Sequence, residues 1–333
     1  MPLTRSAILA LADPDPETAE ALNFSPQLPN NSSIDFWRTI ETTRRPTILA
    51  SLGPPPTGLT ERDHQVPTRD GHNITVRSYS PDVAPAGGRS LIVMYHGGGF
   101  CLGGLETETP TCRAWALQLG AVVLNVEYRR APEWVFPTPV KDAWDAFKWA
   151  ATNASELGAD PAAGFLVAGV SAGGNMASVV AHLARNEGVV PRLTGQYLSV
   201  PALIPADKVP EEYKEEYLSR EQNRDSPLLP RTMVEMFETS HKADSDSPLF
   251  ATFNDLSGHA DLPPTYFQVC GADPYRDDAV IYERVLREDY KIPTKVDMYK
   301  GLPHMFWAMI PGLKQSAQWK ADRVDGMRWL LEQ

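Results

Sequence analysis

The sequence predicts an α/β protein, a mostly parallel β-sheet with helices on both faces. Two observations carry this. Short apolar runs rich in Val, Ile and Leu recur along the chain, and segments with helical periodicity lie between them. Strands separated by helices pair in parallel and are buried on both faces, which is why their runs are continuously apolar. At 333 residues, 42% hydrophobic and 22% charged, the chain is long enough for one large core with an appended cap.

The elements follow in order. Phe36, Trp37, Ile40, Ile48 and Leu49 predict short helices with an apolar face, closed by the stiff boundary Gly53-Pro54-Pro55-Pro56-Thr57-Gly58. Residues 64–67 and 74–79 read as a meander around the turn Arg69-Asp70-Gly71, and 90–95 and 121–126 as buried strands. Residues 140–151, with Trp144, Phe147 and Trp149, read as a helix. Residues 165–169 form a strand and 172–185 a helix. Further strands fall at 195–200, 265–270 and 295–299, the last two separated by a helix at 279–289, and a helix at 316–331 closes the chain. Residues 205–255 break the alternation. They are Pro-rich and acidic, with helical patches at 211–219 and 231–239. A long excursion from a compact α/β core is usually functional. The expected organisation is a cap in two segments, 1–55 and 205–255, over a core of 56–204 and 256–333.

Composition excludes some partners. With 31 Lys and Arg against 42 Asp and Glu, the net charge of −11 argues against nucleic acid and against an anionic membrane surface. Three cysteines, Cys101, Cys112 and Cys270, show no Cys-x-x-Cys spacing, so a reducing, cytoplasmic setting is expected. The apolar run Ala7-Ile8-Leu9-Ala10-Leu11-Ala12 is short for a signal-peptide core and has no clear cleavage site. No run approaches the roughly 18 apolar residues that span a bilayer.

Chemistry concentrates in four places. Gly169-Val170-Ser171-Ala172-Gly173 joins a strand to a helix, and a Ser on so sharp a turn presents its hydroxyl beside a helix N-terminus. His96-Gly97-Gly98-Gly99-Phe100 follows a buried strand. Gly98 and Gly99 leave backbone N–H groups free to face a site, and the Ala172 N–H is a third donor for a developing oxyanion. The alternative is a loop that only turns the chain or cradles a phosphate, for which no Lys or Arg is close in sequence. Among seven histidines, His304 stands on a Gly/Pro loop after the last strand. His96 is placed to brace the glycine loop, and His64, His72, His182, His241 and His259 read as solvent-facing or satisfied. Asp273, first after the strand ending at Cys270, is the candidate orienting acid; Asp277 and Asp278 read as caps of the following helix. The order Ser171, Asp273, His304 is that of the α/β-hydrolase arrangement.

Taken as a set, His96-Gly97-Gly98-Gly99-Phe100, Tyr128-Arg129-Arg130-Ala131-Pro132-Glu133, Gly169-Val170-Ser171-Ala172-Gly173-Gly174, Asp273-Pro274-Tyr275-Arg276-Asp277 and His304-Met305-Phe306 resemble the hormone-sensitive-lipase-like branch of the α/β-hydrolases, bacterial esterase family IV. The resemblance spans about residues 60 to 330. Two departures stand out: Val170 where Asp is frequent, and Arg130 where Leu is usual. The resemblance implies an eight-stranded core, a helical cap, no cofactor, and cis bonds at Ala131-Pro132 and Phe136-Pro137; the family often forms a homodimer, and no metal is expected. The resemblance also implies a serine carboxylesterase acting on short acyl groups, nearest to fungal enzymes that deacetylate secondary metabolites. Amidase, lactonase or cyclase chemistry at the same site, and a binding role like that of the gibberellin receptors, remain as alternatives. Phe100, Phe36, Trp37, Met233, Met236, Phe237 and Trp307 are the candidate substrate-binding residues, or else they pack the cap onto the core.

Overall fold

The computed structural model describes residues 4–23, 29 and 33–333, so parts of the first expected cap segment lie outside the described residues. Eight strands, β1 (Leu59–Pro67), β2 (Asn73–Pro81), β3 (Leu91–Tyr95), β4 (Val122–Glu127), β5 (Phe165–Val170), β6 (Gly195–Ser199), β7 (Thr265–Cys270) and β8 (Thr294–Tyr299), form one sheet in the order β1-β2-β4-β3-β5-β6-β7-β8. β1 pairs antiparallel with β2, and β2 with β4. From β4 through β8 every pairing is parallel.

The helices are α1 (Arg5–Leu9), α2 (Pro16–Asn23), α3 (Ile34–Leu52), α4 (Leu105–Leu119), α5 (Thr138–Thr152), α6 (Ala172–Asn186), α7 (Ser219–Gln222), α8 (Arg231–His241), α9 (Arg276–Arg284), α10 (Phe306–Met309) and α11 (Lys314–Leu331). The pleat sends alternate residues of each strand to opposite faces. Leu91, Val93 and Tyr95 of β3 pack with Phe147 of α5, Met176 of α6 and Ile281 of α9. Ile92 and Met94 pack on the other face with Trp115 of α4 and Trp319 of α11. A third apolar cluster joins Trp37 of α3 to Met233, Val234 and Met236 of α8 and to Tyr275. No helix among the described residues is long and apolar enough to cross a membrane.

Several local expectations need correction. The short helices expected before residue 53 are, in part, one 19-residue helix, α3, which runs through Pro46; Ser33 starts it by accepting the Phe36 N–H. Helix α4 has no counterpart in the pattern reading, because Thr107, Thr109, Pro110 and Thr111 mask its apolar spacing. The patch expected as a helix at 211–219 is a turn at Glu211–Tyr213 and the start of α7. The helix after β7 begins earlier than expected and ends in a π-type turn, Val285–Asp289. Ala131-Pro132 and Phe136-Pro137 are cis, as the resemblance implies, and so is Val190-Pro191.

Candidate active site

Parallel strands put the loops after their C-terminal ends on one edge of the sheet, and there the site assembles. The loops after β3, β5, β7 and β8 carry the glycine run, Ser171, Asp273 and His304 respectively. Ser171 has φ 55° and ψ −116°, a conformation that L-residues rarely adopt. It is held there from both sides: its N–H donates to Ser199 O (2.8 Å) and its carbonyl accepts the Asn175 N–H (3.0 Å). The turn is so tight that a Cβ on Gly173 would stand 2.0 Å from Tyr95 O. Glycine there is a requirement of packing.

His304 Nε2 lies 3.0 Å from Ser171 Oγ, and His304 Nδ1 lies 2.7 Å from Asp273 Oδ2. The carboxylate accepts from Nδ1–H, which leaves the Nε2 lone pair facing the serine hydroxyl. Asp273 is fixed in turn, its Oδ1 accepting the Tyr275 N–H at 2.8 Å. Asn223 donates to Asp273 O (2.9 Å) and the Ser226 hydroxyl to Ala272 O (3.1 Å). Ser171, Asp273 and His304 are all buried. The N-terminal segment braces both supporting loops. Gly301 N–H donates to Leu11 O (2.8 Å), and Leu11 O also sits where a Cβ of Gly271 would be.

Gly98 and Gly99 make no N–H hydrogen bond among the described residues, because the loop turns outward after them: Cys101 and Leu102 N–H both donate to Gly98 O (3.0 and 2.8 Å). Ala172 is the first residue of α6, so its N–H has no acceptor within the helix. Gly98, Gly99 and Ala172 line the same cavity as Ser171, at the N-terminus of α6. His96 braces the loop as expected, with Nδ1 2.7 Å from Gly97 O and its ring stacked on Tyr128. Burial holds its imidazolium down at a pKa of about 3, so the ring is neutral.

A cavity of about 660 Å³ opens over Ser171 and His304. Trp37, Phe100, Met233 and Phe237 line it, as do Leu229 and Met305. Phe36, Met236 and Trp307 do not, contrary to expectation. Met233 and Phe237 are four residues apart and share the face of α8 that looks into the cavity, whereas Met236 points into the third apolar cluster. Phe36 packs edge-on against Trp37, 5.5 Å between ring centroids. Trp307 stacks at 3.9 Å and 7° on Trp319 of the core. The apolar spacing of these side chains is the same as that of the lining ones, so sequence alone did not separate them.

Sequence reasoning also misplaced Asp277 and Asp278. They do not cap α9. Asp277 accepts the Leu218 and Ser219 N–H groups at 2.7 Å each and pairs with buried Arg276. Asp278 accepts the Leu203 and Ile204 N–H groups (2.8 and 3.0 Å) and the Tyr217 hydroxyl. Burial pushes the Asp278 carboxyl up to about 6. Asp277 therefore holds the 205–255 excursion, and Asp278 the residues just before it together with Tyr217, to the loop that carries Asp273. Of the histidines expected to be solvent-facing or satisfied, His182, His241 and His259 are buried; His182 and His259 contact each other (2.9 Å), and the His241 ring stacks on Phe100. Tyr275 and Arg220, which line the cavity, were missed; Arg220 lies over the Tyr275 ring at 4.2 Å.

Comparison with known proteins agrees with this geometry. Residues 92–308 match the alpha/beta hydrolase fold family. The chain is a hormone-sensitive-lipase-like α/β-hydrolase. An AB hydrolase superfamily protein of Schizosaccharomyces pombe is 36% identical to the hydrolase over 95% of this chain and 94% of its own length. A versiconal hemiacetal acetate esterase of Dothistroma septosporum is 37% identical over 72% of each chain. The solved structure of a vibralactone cyclase superposes with a TM-score of 0.88 at 31% identity, covering 97% of this chain and 96% of that one. The hydrolase is an enzyme of the carboxylesterase type.

Proposed function

We propose that the hydrolase is a serine carboxylesterase that works through an acyl-enzyme and removes short acyl groups, acetyl foremost, from a secondary metabolite. The observation that carries this is the unbroken relay from Ser171 Oγ through His304 to Asp273, with the free amides of Gly98, Gly99 and Ala172 beside it. His304 Nε2 takes the Ser171 proton as Oγ attacks the ester carbonyl. The carbonyl oxygen becomes an oxyanion held by the three amides. The imidazolium, paired with Asp273, then protonates the leaving alcohol, and the acyl group stays on Ser171. A water, deprotonated by the same imidazole, attacks the acyl-enzyme and releases the acid. The acetate-esterase relative supports the choice of acyl group. The free, buried thiols of Cys101, Cys112 and Cys270 support a cytoplasmic setting.

The test pairs Ser171→Ala with a fluorophosphonate probe. Wild type should hydrolyse p-nitrophenyl acetate and butyrate and be labelled at Ser171, and the folded variant should do neither. A folded S171A that keeps wild-type turnover refutes the assignment, and so does faster cleavage of palmitate than of butyrate.

The likeness to a vibralactone cyclase favours a second reading, in which a hydroxyl within the acyl group rather than water resolves the acyl-enzyme. The largely apolar lining of the cavity suits such a step, because it holds little water near Ser171. Incorporation of label from H₂¹⁸O into a free acid product supports hydrolysis; a lactone without label supports cyclisation.

A further inference from the structure

Arg130, which replaces the usual Leu, does not point idly to solvent. It donates through Nη1 to Gly103 O, and the same atom lies 3.1 Å from Glu41 Oε2. Glu41, on α3, accepts the Gly103 N–H with its other oxygen at 2.5 Å. One turn earlier on α3, Arg38 donates to Cys101 O (3.2 Å from both Nε and Nη2) and to Ala131 O (2.7 Å). Phe100 O accepts the Ala131 N–H at 3.0 Å. So the backbone of residues 100, 101 and 103 is tied down on its outer side, while the Gly98 and Gly99 amides on its inner side are left for the substrate oxygen. Gly103, at φ 88°, packs against His96 Nδ1 and Gly97 O so closely that a Cβ would lie within 2.6 Å of both. A shift at Gly103 therefore passes directly to the start of the loop.

We propose that Arg38, Glu41 and Arg130 form a clamp through which the N-terminal helix α3 sets the position of the oxyanion-binding loop, making the three side chains positioning residues for acyl transfer. The inference rests on the serine-esterase reading above. Its physical basis is that charge-assisted bonds to backbone groups are short and strong, and that donors aimed at an oxyanion lose their effect within about 1 Å of misplacement. None of the three residues is assigned a part in the chemistry itself. Because α3 also lines the cavity through Trp37, Ile40 and Glu41 itself, substrate seated against that helix bears on the same clamp.

The experiment measures kcat and KM for p-nitrophenyl butyrate, and inhibition by a short alkylboronic acid, for wild type, R130L, E41A, E41Q and R130K. A boronate forms a tetrahedral adduct on serine and needs the oxyanion donors, whereas product alcohol does not. R130L and E41A are expected to lose about 10- to 100-fold in kcat with KM within about twofold, and to weaken boronate binding in proportion while alcohol inhibition stays constant. E41Q, which keeps an acceptor for the Gly103 N–H, is expected to recover most of the loss of E41A, and R130K to fall between wild type and R130L. A merely structural role moves the melting temperature and KM together and leaves kcat and boronate affinity alone; that result overturns the clamp. So does E41Q behaving like E41A. If wild type cleaves no ester and takes no fluorophosphonate, the reading of the site fails instead, so the two failures are told apart.

Discussion

Gly99→Ala is the sharpest probe of how the cap bears on the site. Gly99 has φ 59°, and a Cβ built there would lie 2.2 Å from Phe237 Cγ, with the ring's two Cδ atoms at 2.4 and 2.5 Å. Ordinary contact begins at 3.4 Å, so the ring or the loop must retreat by about 1.2 Å. Phe237 sits on α8, whose neighbours Met233 and His241 are themselves packed, so the ring has little room to yield. Two effects follow, one on stability and one on rate. Holding an L-residue in the left-handed region costs about 1–2 kcal/mol of stability. Displacing the Gly99 amide by about 1 Å from the oxyanion costs about 100-fold in rate, or about 2.7 kcal/mol of barrier. The assay is a double-mutant cycle of G99A, F237A and G99A/F237A, read as kcat/KM for p-nitrophenyl butyrate with thermal melts alongside. G99A should lose about 100-fold. In the F237A background the same change should lose no more than about tenfold, because the clash is gone and only the backbone term is left. Equal losses in both backgrounds refute the claim that Phe237 lies on the oxyanion loop.

Three further outcomes follow from geometry already described. Asp273→Asn keeps an acceptor for the Tyr275 N–H but offers an amide to His304 Nδ1, which reverses the tautomer; kcat should fall about 10⁴-fold with the melting temperature little changed, and a variant with more than a tenth of wild-type activity contradicts it. The Asp278 carboxyl, raised by burial from 3.8 to about 6, binds its proton more tightly folded than unfolded. Its stabilising contribution is whole below pH 3.8 and is lost as pH rises through about 6, a swing of about 3 kcal/mol, so D278N should gain on wild type in urea melts between pH 4 and pH 7; a difference that stays flat across that window refutes the assignment. Trp307→Ala should lower stability by about 3–5 kcal/mol by opening a hole against Trp319, yet leave KM for a butyrate ester within about twofold; a raised KM at unchanged stability would return Trp307 to the pocket.

The fold was legible where periodicity is strong. The central parallel strands β3 and β5 are apolar at every position, and each expected strand appears in the sheet, although β1 begins five residues earlier than expected. The glycine loop and the order Ser171, Asp273, His304 were legible for a related reason: turns at strand ends demand particular residue types, so the local pattern carries the geometry. The lining of the cavity was not. Whether Met233 or Met236 faces the ligand depends on the rotation of α8, which is set by contacts with Trp37 and Tyr275 more than 30 residues away in sequence. Asp277 and Asp278 misled for the same reason. A helix start rich in acid reads as a cap, and only the fold shows that the amides they accept belong to residues 203, 204, 218 and 219.

Those two carboxylates have a consequence for how such a protein diversifies. The turn from Asp273 to Asp278 carries the orienting acid of the relay at one end and the fastenings of the 205–255 excursion at the other. The fastenings mix backbone and side-chain groups: Asp277 accepts the amides of residues 218 and 219, Asp278 accepts the Tyr217 hydroxyl, and Asn223 and Ser226 donate to Asp273 O and Ala272 O. Side chains of the excursion other than Tyr217, Ser219, Asn223 and Ser226 are therefore free to change without breaking these bonds to the Asp273 loop. New pockets can be tried in one part of the sequence while the bonds that join Ser171, His304 and Asp273 stay fixed in another.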